Sequence, residues 1–126
     1  MTVHLDTSIL IETLSSPTSA RALITATERG DRLAISSIVL YEWLRGPRSP
    51  EQRALSDALF PADSIVRFGA DEARVAAQLY SRMRHARGRE ADIAIAACAI
   101  EDEAAVWTRN TADFADIPGL ILYRLR

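Results

Sequence analysis

Val3-His4-Leu5-Asp6-Thr7-Ser8-Ile9-Leu10-Ile11-Glu12 is the stretch on which the fold turns. A short apolar run stops at an acid. Two hydroxyl residues follow, and then apolar residues at helical spacing. This reads as a buried strand that ends at Asp6 and passes directly into a helix. Thr7 or Ser8 is expected to cap that helix, because a hydroxyl oxygen there can accept an orphan amide proton. A carboxylate at the carboxyl end of a first strand stands on the edge where open α/β sheets place their ligands.

The remainder of the chain repeats the pattern. Short helices are expected over 8–14 and 18–29, separated by Ser15-Ser16-Pro17 and stopped by Gly30. Leu33-Ala34-Ile35-Ser36 reads as a second strand, followed by a helix over 37–45 that Gly46-Pro47 terminates. Ser49-Pro50 opens a further helix to Leu59. A brief strand is expected at 64–67, then a long amphipathic helix from Asp71 to Arg87. The segment from Glu90 to Asp102 is apolar nearly all round, the mark of a helix buried on most sides. Ala104-Ala105-Val106-Trp107-Thr108 and Leu120-Ile121-Leu122-Tyr123 complete the strands. Strands alternating with helices predict an α/β fold, a central parallel sheet with helices on both faces, as one domain over 1–126.

Composition narrows the chemistry. The 126 residues suffice for one proper core, and 48% hydrophobic with 25% charged is ordinary for a globular protein. No apolar run approaches the roughly 20 residues that span a bilayer, and the N-terminus has no signal-like block; a cytoplasmic protein without membrane association is expected. The single cysteine, Cys98, excludes an internal disulfide and a multi-cysteine zinc site. All 15 basic residues are arginine. Without lysine, Walker-type phosphate loops, Schiff bases and Ser-Lys dyads are excluded. A net charge of −2 exerts no global pull on nucleic acid, so any such binding needs a local patch.

Four acids can meet on one edge. Asp6 ends the first strand, Glu42 lies one and a half turns into the helix after the second, Asp92 is in the first turn of the apolar helix, and Asp113 lies just beyond Thr108. Asp116 competes with Asp113 for the last place. In a parallel sheet the strand ends and the helices that follow them share an edge, so residues far apart in sequence converge there. Carboxylates so placed repel, and some take up protons. A divalent cation removes the difficulty: Mg²⁺ or Mn²⁺ takes oxygen ligands, and such a centre suits phosphodiester hydrolysis.

Leu5-Asp6-Thr7-Ser8-Ile9-Leu10-Ile11-Glu12, Tyr41-Glu42-Trp43-Leu44-Arg45-Gly46, Ala91-Asp92-Ile93-Ala94-Ile95-Ala96-Ala97 and Thr108-Arg109-Asn110-Thr111-Ala112-Asp113-Phe114, in this order, resemble the PIN-domain ribonucleases, in particular VapC-type toxins. The resemblance spans essentially the whole chain, to Ile117-Pro118-Gly119-Leu120. It implies a PIN fold and a Mg²⁺- or Mn²⁺-dependent endoribonuclease. It puts Asp6, Glu42, Asp92 and Asp113 on the acidic quartet that is both catalytic and metal-binding, and Thr7, Ser8, Thr108 and Asn110 on supporting polar positions. It also implies a homodimer, a cognate antitoxin as inhibitor, and tRNA, rRNA or mRNA as substrate.

Other features have simpler readings. Arg82, Arg84, His85, Arg87 and Arg89 form a basic cluster before Asp92, either a solvated helix end or a phosphate grip in which Arg87 and Arg89 meet RNA. His4 is expected to be a satisfied core histidine and Cys98 core filling. Tyr41, Trp43 and Leu44 are expected in the core, the alternative being a groove for a partner. A receiver-type phosphoacceptor domain needs paired acids after its first strand and a lysine, and this chain has neither. A PIN fold kept as a binding or structural module without catalysis is the alternative reading.

Overall fold

The alternation of strands and helices builds one parallel sheet. The computed structural model describes residues 1–125. Its strands are β1 (Thr2–Leu5), β2 (Arg32–Ala34), β3 (Ala105–Trp107) and β4 (Ile121–Leu122). They lie in the order β2-β1-β3-β4, every pairing parallel, with Val3 opposite Leu33 on one side and Ala105 on the other. Six helices connect them: α1 (Thr7–Thr13), α2 (Pro17–Glu28), α3 (Ser37–Arg45), α4 (Pro50–Leu59), α5 (Ala70–Arg82) and α6 (Glu90–Glu101). Successive residues of the central strands point to opposite faces, yet Val3, His4, Leu5, Ala105, Val106 and Trp107 are all buried, so both faces are covered. Among the described residues no helix is long and apolar enough to cross a membrane.

Local chemistry explains the helix ends. Ser16, Ser36 and Ser49 cap α2, α3 and α4 through their hydroxyls, and Gln52 closes a capping box on Ser49. The low amphipathicity of α6 has the expected consequence: Ile93 to Ala99 are buried without interruption. Burial pushes the Cys98 thiol up to about 12, as suits core filling.

Four expectations are corrected. The strand at 64–67 is only a single parallel bridge between Val66 and Ser36, because Ala62–Ser64 closes a 3₁₀ turn first. The helix from Asp71 stops at Arg82, not Arg87. Met83 is extended, Ala86 is drawn into the core, and Gly88 turns the chain at φ +85°. The basic cluster therefore lies mostly on a turn, not on a helix end. Of the three α3 residues assigned to the core, Trp43 is there, its Nε1 donating to Ser56 Oγ at 3.0 Å, whereas Tyr41 is 63% and Leu44 37% exposed. His4 is in the core but satisfied on one nitrogen only: Nε2 lies 2.8 Å from Asp102 Oδ2, and Nδ1 is buried without a partner.

Candidate active site

Asp6 directly follows β1, the strand from which the sheet extends to β2 on one side and to β3 on the other. The crevice beyond such a switch point is where open α/β sheets bind ligands. The Asp6 amide extends the ladder by donating to the Trp107 carbonyl at 2.9 Å, which ties the residue to rigid backbone. Its buried carboxylate accepts from Thr108 Oγ1 at 2.7 Å and Ser8 Oγ at 2.8 Å, both on Oδ2. Among the described residues Oδ1 accepts no hydrogen bond.

This arrangement revises the capping expectation. Asp6 itself has the backbone geometry of the α1 N-cap but makes no side-chain cap, and Thr7 and Ser8 are the first two helical residues. Their hydroxyls serve carboxylates instead, since a bond to an ionised acceptor is roughly twice as strong as one to a neutral group. Thr7 Oγ1 donates to Glu42 Oε1 at 2.7 Å. Glu42 stands on α3, and its other oxygen faces Arg45 at 3.8 Å. Asn110 contributes through its backbone, its amide donating to Thr108 Oγ1 at 3.0 Å. A further supporting group, the Arg109 amide, donates to Ser8 Oγ at 3.0 Å. No sequence signal marks a backbone donor of this kind.

Asp92, third residue of α6, reports on the others. Its carboxyl is pushed up to about 6, first by burial and then by the charges of Asp6, Asp113 and Glu42, with Arg89 opposing. Four acids from four separate elements thus share one electrostatic field. Asp113, exposed, ends a 3₁₀ turn over Thr111–Asp113. Asp116 is set apart: the Arg89 guanidinium grips both its oxygens and holds its carboxyl below the ordinary value.

The donor set is entirely oxygen, which is what a hard divalent cation takes. Among the described residues no three His, Cys, Asp or Glu side chains already stand close enough together to hold an ion. Mg²⁺ retains several waters in its shell and is commonly held by only one or two carboxylates. Of the two arginines expected to meet RNA, Arg87 is exposed, whereas Arg89 is engaged with Asp116.

A model of the PIN domain matches residues 3–120. The chain belongs to the PIN-domain family. Within it, the chain is 34% identical over 119 residues to ribonuclease VapC19 of Mycobacterium tuberculosis, covering 92% of this chain and 94% of that one. It is a homologue of VapC ribonucleases. Among solved PIN-fold structures, a toxin–antitoxin complex from Klebsiella pneumoniae contains a chain 28% identical, with a TM-score of 0.70 and coverage of 98% and 99%. The VapBC2 complex from Rickettsia felis contains another, 23% identical with a TM-score of 0.76 over the whole of both chains, a likeness of fold.

Proposed function

We propose that the protein is a Mg²⁺- or Mn²⁺-dependent endoribonuclease and the toxin of a toxin–antitoxin pair. The observation that carries the reading is geometric: adjacent hydroxyls at the start of α1 hold two acids from different elements at the switch point of a parallel sheet, Ser8 donating to Asp6 at 2.8 Å and Thr7 to Glu42 at 2.7 Å. A hard divalent cation bound among Asp6, Glu42, Asp92 and Asp113 would supply an activated water and offset charge on the phosphate oxygens.

The chain's own residues do the rest. Thr108 and Ser8 hold Asp6 by one oxygen and leave the other for a ligand. Thr7 orients Glu42, and Asn110 and Arg109 brace the hydroxyls through their amides. Such supporting contacts fix ligand orientation. Arg87, exposed ahead of α6, is the residue that meets the RNA backbone and offsets an acidic protein's repulsion of its substrate.

The antitoxin half of the reading draws on a groove of about 530 Å³ between α2, β2 and α4. It is lined by Leu23, Ile24, Leu33, Leu59 and Phe60, with Ile24 57% and Leu59 46% exposed. Exposed apolar surface of this kind suits an antitoxin's apolar helix. A second copy of the chain completes the expected partners. The test is RNA cleavage by the purified protein with Mg²⁺ or Mn²⁺. Cleavage that stops with EDTA and with Asp6→Asn is expected. Cleavage that survives Asp6→Asn would falsify the assignment, and an RNA-binding protein without cleavage would favour a non-catalytic PIN module.

A further inference from the structure

Arg89 is the most fully committed arginine near the acids. Its Nη2 donates to the Asp113 carbonyl oxygen at 2.7 Å and to Asp116 Oδ1 at 2.6 Å. Its Nη1 donates to Asp116 Oδ2 at 2.9 Å and to the His85 carbonyl oxygen at 3.2 Å. Only 20% of the side chain is exposed. It is the residue before α6, three positions ahead of Asp92. One guanidinium therefore joins three segments: the turn after α5, the start of the helix that carries Asp92, and the loop that carries Asp113.

Asp113 needs such a tie. Its side chain is exposed and accepts no hydrogen bond among the described residues, and its own turn is a single 3₁₀ span. Phe114 and Ile117 are buried and anchor the loop to the core, and Arg89 adds a polar tie from the Asp113 backbone to the residue before α6. A planar fork that reaches a carbonyl and a carboxylate at once sets that spacing; a lysine at the same place has one point of attachment.

We propose that Arg89 is a positioning residue of the acidic site. With Asp116 as its partner, it holds the Asp113 turn against the first turn of α6 and so sets Asp113 relative to Asp92. The proposal rests on reading the four acids as a cation site. It also gives Asp116 a role distinct from that of a ligand.

The measurement is Mn²⁺ affinity of the metal-free protein, followed by loss of the free-ion electron paramagnetic resonance signal. By simple electrostatics Arg89→Ala, which removes a positive charge beside four acids, should tighten Mn²⁺ binding, and Arg89→Lys, which keeps the charge, should leave it unchanged. The positioning role predicts the opposite: Arg89→Lys and Arg89→Ala weaken it by about 10–100-fold. Asp116→Asn weakens it on either account, because it also removes a negative charge near the site, so Arg89→Lys is the deciding variant. In an Asp113→Asn background, Arg89→Lys should add nothing, because both changes disable the same ligand. Melting curves in EDTA report whether each variant folds; if Arg89→Ala does not, Arg89→Lys decides. Wild-type or tighter Mn²⁺ affinity in Arg89→Lys overturns the proposal, as does a full additive loss on top of Asp113→Asn. A wild-type protein that binds no Mn²⁺ removes the cation reading itself, and this proposal with it.

Discussion

Two hydroxyls donate to the same oxygen of Asp6, which fixes its orientation; on the proposed reading Oδ1 is the oxygen that meets the cation. Thr108→Val removes the shorter of the two bonds at nearly constant volume. We expect kcat/KM on RNA to fall by about 10–100-fold, with Thr108→Ser restoring most of it. Asp92 has a different signature. Its carboxyl is raised from 3.8 to about 6, so between those values the folded chain binds more protons than the unfolded one. Metal-free protein should therefore lose stability as pH rises from about 4 to 6 through this group, and Asp92→Asn should flatten that part of the melting-temperature profile. Mn²⁺ affinity should run the other way and weaken as pH falls through about 6, because the proton then competes for Asp92.

The helices differ in how far local chemistry specifies them. The bounds expected for α3 and α4 are those observed, because Ser36 and Ser49 cap them and Gly46 and Phe60 end them. The two helices are then locked together by Trp43 and Ser56, a buried pair that apolar patterning cannot foresee. Ser56→Ala should cost about 1–3 kcal/mol by leaving the indole N–H unsatisfied, seen as a lower denaturant midpoint at unchanged slope. Amphipathic periodicity ran on past the real end of α5, since Arg84 and Arg87 are as compatible with a helix surface as with a turn. The end is set by Ala86 reaching the core and by Gly88. Gly88→Ala should destabilise by about 1–2 kcal/mol, because its φ of +85° is costly for a residue with a Cβ.

Across the whole molecule, the core and the acidic edge are separate. Val3, Leu5, Ile9, Trp43, Ile95, Val106 and Phe114 pack without help from the carboxylates, apart from buried Asp6. EDTA should abolish cleavage and leave the far-ultraviolet circular dichroism unchanged. The chain's charge of −2 leaves RNA binding to local arginines. Arg87→Ala should lower the slope of log affinity against log salt by about 0.7, the value for one single-strand phosphate contact. An unchanged slope would place the RNA elsewhere on the surface.

The order of strands and helices, the burial of α6 and the candidacy of Asp6, Glu42 and Asp92 were legible from residue types alone. Periodicity and caps are local, and an acid set beside apolar neighbours announces an unusual environment. The strand at 64–67, the end of α5, the pairing of Asp116 with Arg89 and the duties of Thr7 and Ser8 were not. Each depends on what stands opposite in space. A single bridge to Ser36, a guanidinium from a turn 27 residues before Asp116, and a carboxylate 35 residues beyond Thr7 are long-range partners. Asp6 shows the division best. Its position after an apolar strand marked it, but only β3, arriving beside β1 with Thr108, determined which oxygen is held by hydroxyls.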